Sequence, residues 1–174
     1  NAVAFDLREQ GRVVNDERTG RPAVDGGGEA VRQPGLLKGV KGIGWYIPEY
    51  GIAQVSLNLT DLSATPLHIA FDAACERAAA RGMRVTGSEL IGLIPLRAIL
   101  DAGRNYLAKQ ERSLGVDDAT LVRIAVRSLG LDELAPFDPE TRIIEYALRR
   151  PDDERLVRLT VRDFVAEAAS ESPA

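Results

Sequence analysis

The 174-residue sequence holds one cysteine, one histidine, one methionine and one tryptophan, and aromatic residues make up only 5% of it. A single cysteine, Cys75, excludes an internal disulfide, and with a single histidine, His68, there are too few soft ligands for a structural zinc site. Lysine is scarce as well: of 22 basic residues only Lys38, Lys41 and Lys109 are lysine. No uninterrupted apolar stretch approaches the roughly 20 residues that a bilayer crossing requires, and Asn1–Gln10 lacks a signal-peptide pattern, so a soluble, cytoplasmic chain with no membrane role is expected. Basic excess is missing too. A net charge of −4 and a pI near 5.2 are the wrong sign for a protein that lives on phosphate backbones, and no nucleic-acid partner is expected. What is present is ordinary for a globular domain, with 45% hydrophobic and 28% charged residues in a length suited to one core.

Apolar positions at Val3, Phe5 and Leu7 read as the tail of a helix over residues 1–10, stopped by Gly11. Residues 15–33 carry Gly20, Gly26, Gly27 and Gly28 with Pro22 and many charges, which predicts an exposed flexible loop or loose hairpin. Two strands follow. The first, over 38–47, sets Lys41, Ile43, Trp45 and Ile47 on one face against Val40, Gly42, Gly44 and Tyr46. Alternate glycines there mark the approach of a ligand or of a packed helix. After the turn Pro48-Glu49-Tyr50-Gly51, the second strand puts Ala53, Val55, Leu57 and Leu59 on one face and Gln54, Ser56 and Asn58 on the other. An uncharged polar row of that kind lines a cleft or faces solvent.

Thr65-Pro66 predicts a helix start with Thr as N-cap, and Gly82 its end. A short strand is expected over 83–89, a helix from Pro95 to Lys109, and another from Asp118 to Leu129 capped by Gly130. A last strand is expected over 142–148, a charged hinge over 149–158 and a further helix within 159–169. The order implies an α+β fold, a ferredoxin-like antiparallel sheet with helices packed on one face.

Several chemistries can be set aside from the residues alone. The triple glycine neither follows a strand nor precedes Lys-Ser/Thr, so it is not a phosphate loop. Gly87-Ser88-Glu89-Leu90-Ile91-Gly92 does not have the Gly-x-Ser-x-Gly spacing of a nucleophile elbow. His68, at a helix start and without a partner histidine or cysteine, reads as structural rather than catalytic.

Six strings carry more specific information: Phe5-Asp6-Leu7-Arg8-Glu9-Gln10-Gly11-Arg12, Val40-Lys41-Gly42-Ile43-Gly44-Trp45-Tyr46, the run Ala53 to Asp61, the run Val85 to Pro95, Leu129 to Phe137, and Arg142-Ile143-Ile144-Glu145-Tyr146. In this order they resemble the glutamate formimidoyltransferase family, specifically its C-terminal subdomain, as found alone or in the bifunctional formimidoyltransferase-cyclodeaminase. The resemblance covers the chain apart from residues 15–33. It implies transfer of a formimino group from N-formimino-L-glutamate to N5 of tetrahydrofolate, an acceptor substrate, in histidine degradation and one-carbon metabolism.

The resemblance further implies residues 1–148 as the C-terminal subdomain, 149–158 as a linker and 159–174 as the start of a cyclodeaminase-like domain. The family's catalytic histidine falls in a preceding subdomain, before Asn1, so no residue of this chain is assigned to catalysis and the piece alone is expected to be inactive. A homo-oligomer is expected for the whole. The folate tail carries two carboxylates and the pterin presents amide and amino groups, for which cations and neutral polar side chains are the matching partners. The candidate binding residues are therefore Lys38, Lys41, Gln54, Ser56, Asn58, Ser88 and Glu89. The competing reading is a noncatalytic ferredoxin-like module for small-molecule binding or assembly.

Overall fold

The computed structural model describes residues 1–149. In chain order it contains α1 (Ala2–Leu7), β1 (Arg12–Val13), β2 (Arg32–Gln33), β3 (Val40–Ile47), β4 (Ile52–Leu59), α2 (Leu67–Ala79), α3 (Leu96–Lys109), α4 (Asp118–Leu129), α5 (Pro139–Arg142) and α6 (Ile144–Ala147). This is an α+β fold with two antiparallel sheets of two strands each, β1–β2 and β3–β4. The hinge and helix expected beyond Arg149 lie outside the described residues.

The β3–β4 hairpin has the register that its four-residue turn dictates, from Val40 opposite Leu59 to Ile47 opposite Ile52. One face of this ribbon is apolar. Val40, Val55, Leu57 and Leu59 pack with Val3 and Leu7 of α1 and with Ala70, Ala73 and Ala74 of α2. The alternate glycines of β3 make this approach possible: a Cβ on Gly44 would stand 3.0 Å from the Asn1 nitrogen, and one on Gly42 would stand 2.8 Å from a Leu57 methyl. Of the two readings of these glycines, close packing of a helix is the one realised. α1 also satisfies the outer edge of β3, since the Glu9 amide donates to the Val40 carbonyl at 2.8 Å and the Gly44 amide to Asn1 Oδ1 at 3.1 Å.

Helix α2 is apolar on more than one side because it lies between two cores. Its Ala70 belongs to the sheet-side cluster, whereas Leu67 and Phe71 pack against the helical core built by Ile99, Leu100, Leu107, Leu121, Val122 and Leu129. The helix starts one residue later than expected. Thr65 does not cap it: its hydroxyl is buried and donates to the Lys38 carbonyl at 2.7 Å, tying the start of α2 to the ribbon, and Pro66 takes the N-cap position.

Helix α4 matches expectation at both ends, and α3 ends at Lys109 as expected but starts at Leu96, with Pro95 at the N-cap position. Asp117 caps α4 by accepting from the Thr120 amide at 2.9 Å, and Gly130 closes it in the left-handed conformation, φ +62°. Gly103 is where α3 crosses α4, because a Cβ there would stand 2.4 Å from the Leu121 carbonyl oxygen.

One alternative is decided and two expectations are corrected. Residues 15–33 take the loose-hairpin form of the two offered: Asn15 bridges Pro22, Val24 bridges Ala30, and Asp16 and Asp25 each accept backbone amides across the connecting turns. The glycine triplet forms one of those turns. Residues 83–89 are not a strand, because their bonds run to a helix end. The Ser88 amide donates to the Gly130 carbonyl at 2.9 Å and its hydroxyl to the Leu129 carbonyl at 2.6 Å, which satisfies acceptors that α4 leaves open.

The second correction concerns residues 142–148, where short helices lie on either side of an extended Ile143 that makes a single parallel bridge to Ile94. Asp138 accepts from the Glu140 amide and Pro139 occupies the first position, a helix start that outweighs the alternating apolar pattern after it. Without those two strands the described residues do not form the four-stranded sheet of a ferredoxin-like arrangement.

Candidate functional site

The ribbon face turned away from α1 and α2 is built by register. Lys41 stands opposite Asn58, Ile43 opposite Ser56 and Trp45 opposite Gln54. In an antiparallel ladder opposite residues share a face, so these six side chains form one patch of two parallel rows. Unlike the helix-side face, the patch has no cover among the described residues. Ile43 is 57% exposed, Trp45 is 44% exposed, and Lys41, Ser56 and Asn58 are exposed as well. Lys41 makes no ion pair with any described residue. The patch thus presents a cation, an indole face and three neutral hydrogen-bonding groups within two strands.

The structure brings Gln54, Ser56, Asn58 and Lys41 together and separates the remaining candidates from them. Lys38 lies beyond the start of β3, with its ammonium 3.7 Å from Glu9, whose other oxygen accepts from the Gly39 amide at 2.8 Å. Ser88 is fastened to the end of α4, on the helical core and not on the ribbon. Glu89 beside it is exposed. A shallow groove lined by Val122, Arg123, Arg127, Asp132 and Phe137 contains none of the candidates.

Sequence reasoning set Ile43 and Trp45 on the face of Lys41 without joining them to the polar row of β4. The signal was available. A four-residue turn between Ile47 and Ile52 fixes the pairing, and counting back places Trp45 against Gln54.

Two ionisable side chains of the interior, His68 and Cys75, are biased toward their neutral forms. His68 is buried on α2, and its Nδ1 has no hydrogen-bond partner. Burial pulls its pKa below the ordinary value, with the Lys109 ammonium acting in the same direction and Asp72 and Asp101 opposing. Asp72 accepts from the Tyr106 hydroxyl at 3.3 Å and pairs with the Lys109 ammonium, which makes it a structural tie between α2 and α3. Burial followed by the Asp72 charge pushes the Cys75 thiol up, so it stays protonated. Among the described residues no three of His, Cys, Asp and Glu are placed to hold a metal ion, and no helix is long and apolar enough to cross a membrane.

Comparison with known proteins adds identity to this geometry. Residues 1–149 match the formiminotransferase domain. The formimidoyltransferase-cyclodeaminase of Sus scrofa is 43% identical over 173 residues, which is 99% of this chain and 29% of that protein. That of Dictyostelium discoideum is 40% identical over 174 residues, again 99% of this chain and 29% of the relative. The glutamate formimidoyltransferase of Thermoplasma acidophilum is 33% identical over 73 residues, covering 42% of this chain and 24% of the relative. The chain therefore spans less than a third of the length of these curated relatives.

Proposed function

The chain belongs to the formiminotransferase family, and from that premise we propose that it supplies the acceptor-binding part of a transferase that moves a formimino group from N-formimino-L-glutamate to tetrahydrofolate. The family match across residues 1–149 carries this reading, and the polar row on the uncovered ribbon face supports a binding role there. In the reaction, N5 of tetrahydrofolate attacks the formimino carbon, a new N–C bond forms, and the carbon–nitrogen bond to glutamate breaks. The proton lost from N5 and the proton gained by the departing glutamate nitrogen require a group that titrates near neutrality.

The one histidine of this chain is a poor choice for that work, because it is buried and biased toward its neutral form. As the family resemblance implies, the acid–base group is assigned to a preceding part of the intact protein, and binding and orientation to this one. That division is how two reactants become effectively one. Within the intact protein the β3–β4 ribbon is one wall of the folate cleft, and further strands joining at β4 would extend it toward the ferredoxin-like sheet. The cellular setting that follows is cytoplasmic histidine degradation by a homo-oligomeric enzyme. The relatives named formimidoyltransferase-cyclodeaminase support a fused cyclodeaminase region in the intact protein.

The test is a transfer assay on the intact protein with N-formimino-L-glutamate as donor and tetrahydrofolate as acceptor. Turnover that requires both compounds supports the reading, and transfer that proceeds equally well to simple amines in place of tetrahydrofolate contradicts it.

A further inference from the structure

We propose that Asp25 is a site of spontaneous covalent modification, at which the Gly26 amide nitrogen attacks the Asp25 side-chain carbon and the turn passes through a cyclic imide to an isoaspartyl linkage. Asp25-Gly26 is the one Asp-Gly pair in the sequence, and Asn-Gly does not occur. The pair is exposed and lies in the turn between Val24 and Ala30, which bridge each other.

The groups around the reacting atoms are arranged for this step. Asp25 Oδ1 accepts from the Gly27 amide at 2.9 Å and from the Glu29 amide at 3.0 Å. Two donors on one carboxyl oxygen draw electron density from Cγ and are already aimed at the oxygen on which negative charge develops when a nucleophile adds. Oδ2, the oxygen that must depart, accepts no hydrogen bond from any described residue. The amides of Asp25, Gly27, Gly28 and Glu29 are all engaged within the turn, whereas the Gly26 amide donates to no described residue. Glycine also leaves that nitrogen uncrowded. Asp16 and Asp61 serve as internal comparisons. Each accepts a backbone amide on Oδ1, from Thr19 at 2.7 Å and from Ser63 at 2.9 Å, but Glu17 and Leu62 follow them and carry side chains beside the attacking nitrogen.

The chemistry balances with water as the only other reactant. In the acid form of Asp25 the Gly26 nitrogen bonds to Cγ, Oδ2 leaves as water with its own proton and the amide proton, and a five-membered imide closes. Water then adds to one of the two imide carbonyls. Addition at Cγ restores aspartate. Addition at the main-chain carbonyl breaks the original Asp25–Gly26 bond, so the chain continues through Cγ and the former main-chain carbon becomes the free carboxylate. The product lengthens the main chain by one carbon and removes the side-chain acceptor of the Gly27 and Glu29 amides, which unfastens the turn.

The test warms the intact protein in mildly acidic buffer, both folded and in guanidinium chloride. Isoaspartate is located by electron-transfer fragmentation of the peptides and counted by methyl transfer from S-adenosylmethionine with an isoaspartyl methyltransferase. It is expected at residue 25 ahead of residues 16 and 61, and at least as fast in the folded protein as in the unfolded one. Gly26→Ala keeps the turn, since Gly26 is not left-handed and a Cβ there would meet nothing within 4 Å. That variant is expected to slow the modification about tenfold, the rate equivalent of about 1.4 kcal/mol in the barrier. Slower modification in the folded protein than in the unfolded one would mean that the turn protects Asp25, and overturns the proposal. Absence of isoaspartate at residue 25, or an unchanged rate in Gly26→Ala, overturns it as well.

Discussion

The α3–α4 pair and the β3–β4 ribbon bury their apolar residues differently. Around α3 and α4 each apolar stripe meets another: Ile99, Leu121, Leu129 and Ile143 are almost wholly inaccessible, and the polar faces point outward. The ribbon is covered on one side only, and its other side keeps Ile43 and Trp45 in the open beside three uncharged polar groups. Stability requirements account for the first arrangement. They do not account for the second, since a merely solvated face would ordinarily carry charged residues in place of an exposed indole and isoleucine. The contrast separates the part of the chain that holds the fold from a face that no described residue covers.

Four perturbations would break or sharpen that contrast. The largest effect concerns chemistry. If the ribbon binds and the acid–base group lies elsewhere, the 174-residue chain assayed alone transfers formimino groups at least about 10²-fold more slowly than the intact protein, the usual cost of losing such a group. Comparable turnover would show that this piece holds the catalytic machinery as well.

Next in size is the helical core. Ile99→Ala removes a fully buried side chain on α3 and is expected to lower unfolding free energy by about 2–5 kcal/mol in urea titrations. A loss below about 1 kcal/mol would mean that α3 and α4 are not the stable part. Gly103→Ala sharpens the same point at the crossing. Alanine favours helix by about 1 kcal/mol over glycine, yet the added methyl would meet the Leu121 carbonyl, so a net loss of about 1–3 kcal/mol is expected and a gain would contradict the close approach.

The smallest effect is pH-dependent. The folded pKa of His68 is held down by burial, so the unfolded chain takes up protons first on acidification. The stability this contributes is present above the ordinary value of 6.5 and declines as pH falls through it. Urea midpoints are expected to drop between about pH 7.5 and about pH 5.5, and His68→Gln to flatten that slope. Asp16, Asp61 and Asp117 are held below the ordinary 3.8 by hydroxyl and amide hydrogen bonds, so their stabilisation is lost only in more acidic solution. An unchanged slope in His68→Gln would place the titrating group elsewhere.

Legibility in the sequence followed how local the deciding interactions are. The ends of α3 and α4 are set by neighbours in sequence; Pro95 and Gly130 were read there, and Asp117 carries a local signal of the same kind that was not used. The β3–β4 hairpin was readable from two alternating runs and their turn. The segment around Ser88 was not, because its extended backbone is completed by the carbonyls of Leu129 and Gly130, some forty residues on. Nor was 142–148, where alternation and a helix start compete over a few residues and the single pairing of Ile143 with Ile94 spans the helical core. The polar row of the candidate site showed in the period of β4. Its partners Ile43 and Trp45 depended on register, and the separation of Ser88 and Lys38 from it depended on tertiary contacts that no local pattern encodes.

The central claim is that the uncovered ribbon face binds the folate acceptor, and steady-state kinetics of Asn58→Leu in the intact protein test it most directly. Asn58 is exposed, so the substitution should leave stability within about 0.5 kcal/mol. Leaving a polar group of the bound ligand without its partner costs about 1–3 kcal/mol, so the account predicts a rise of about 5- to 150-fold in the KM for tetrahydrofolate with an unchanged KM for N-formimino-L-glutamate. Unaltered kinetics for both substrates in a folded Asn58→Leu protein would contradict it.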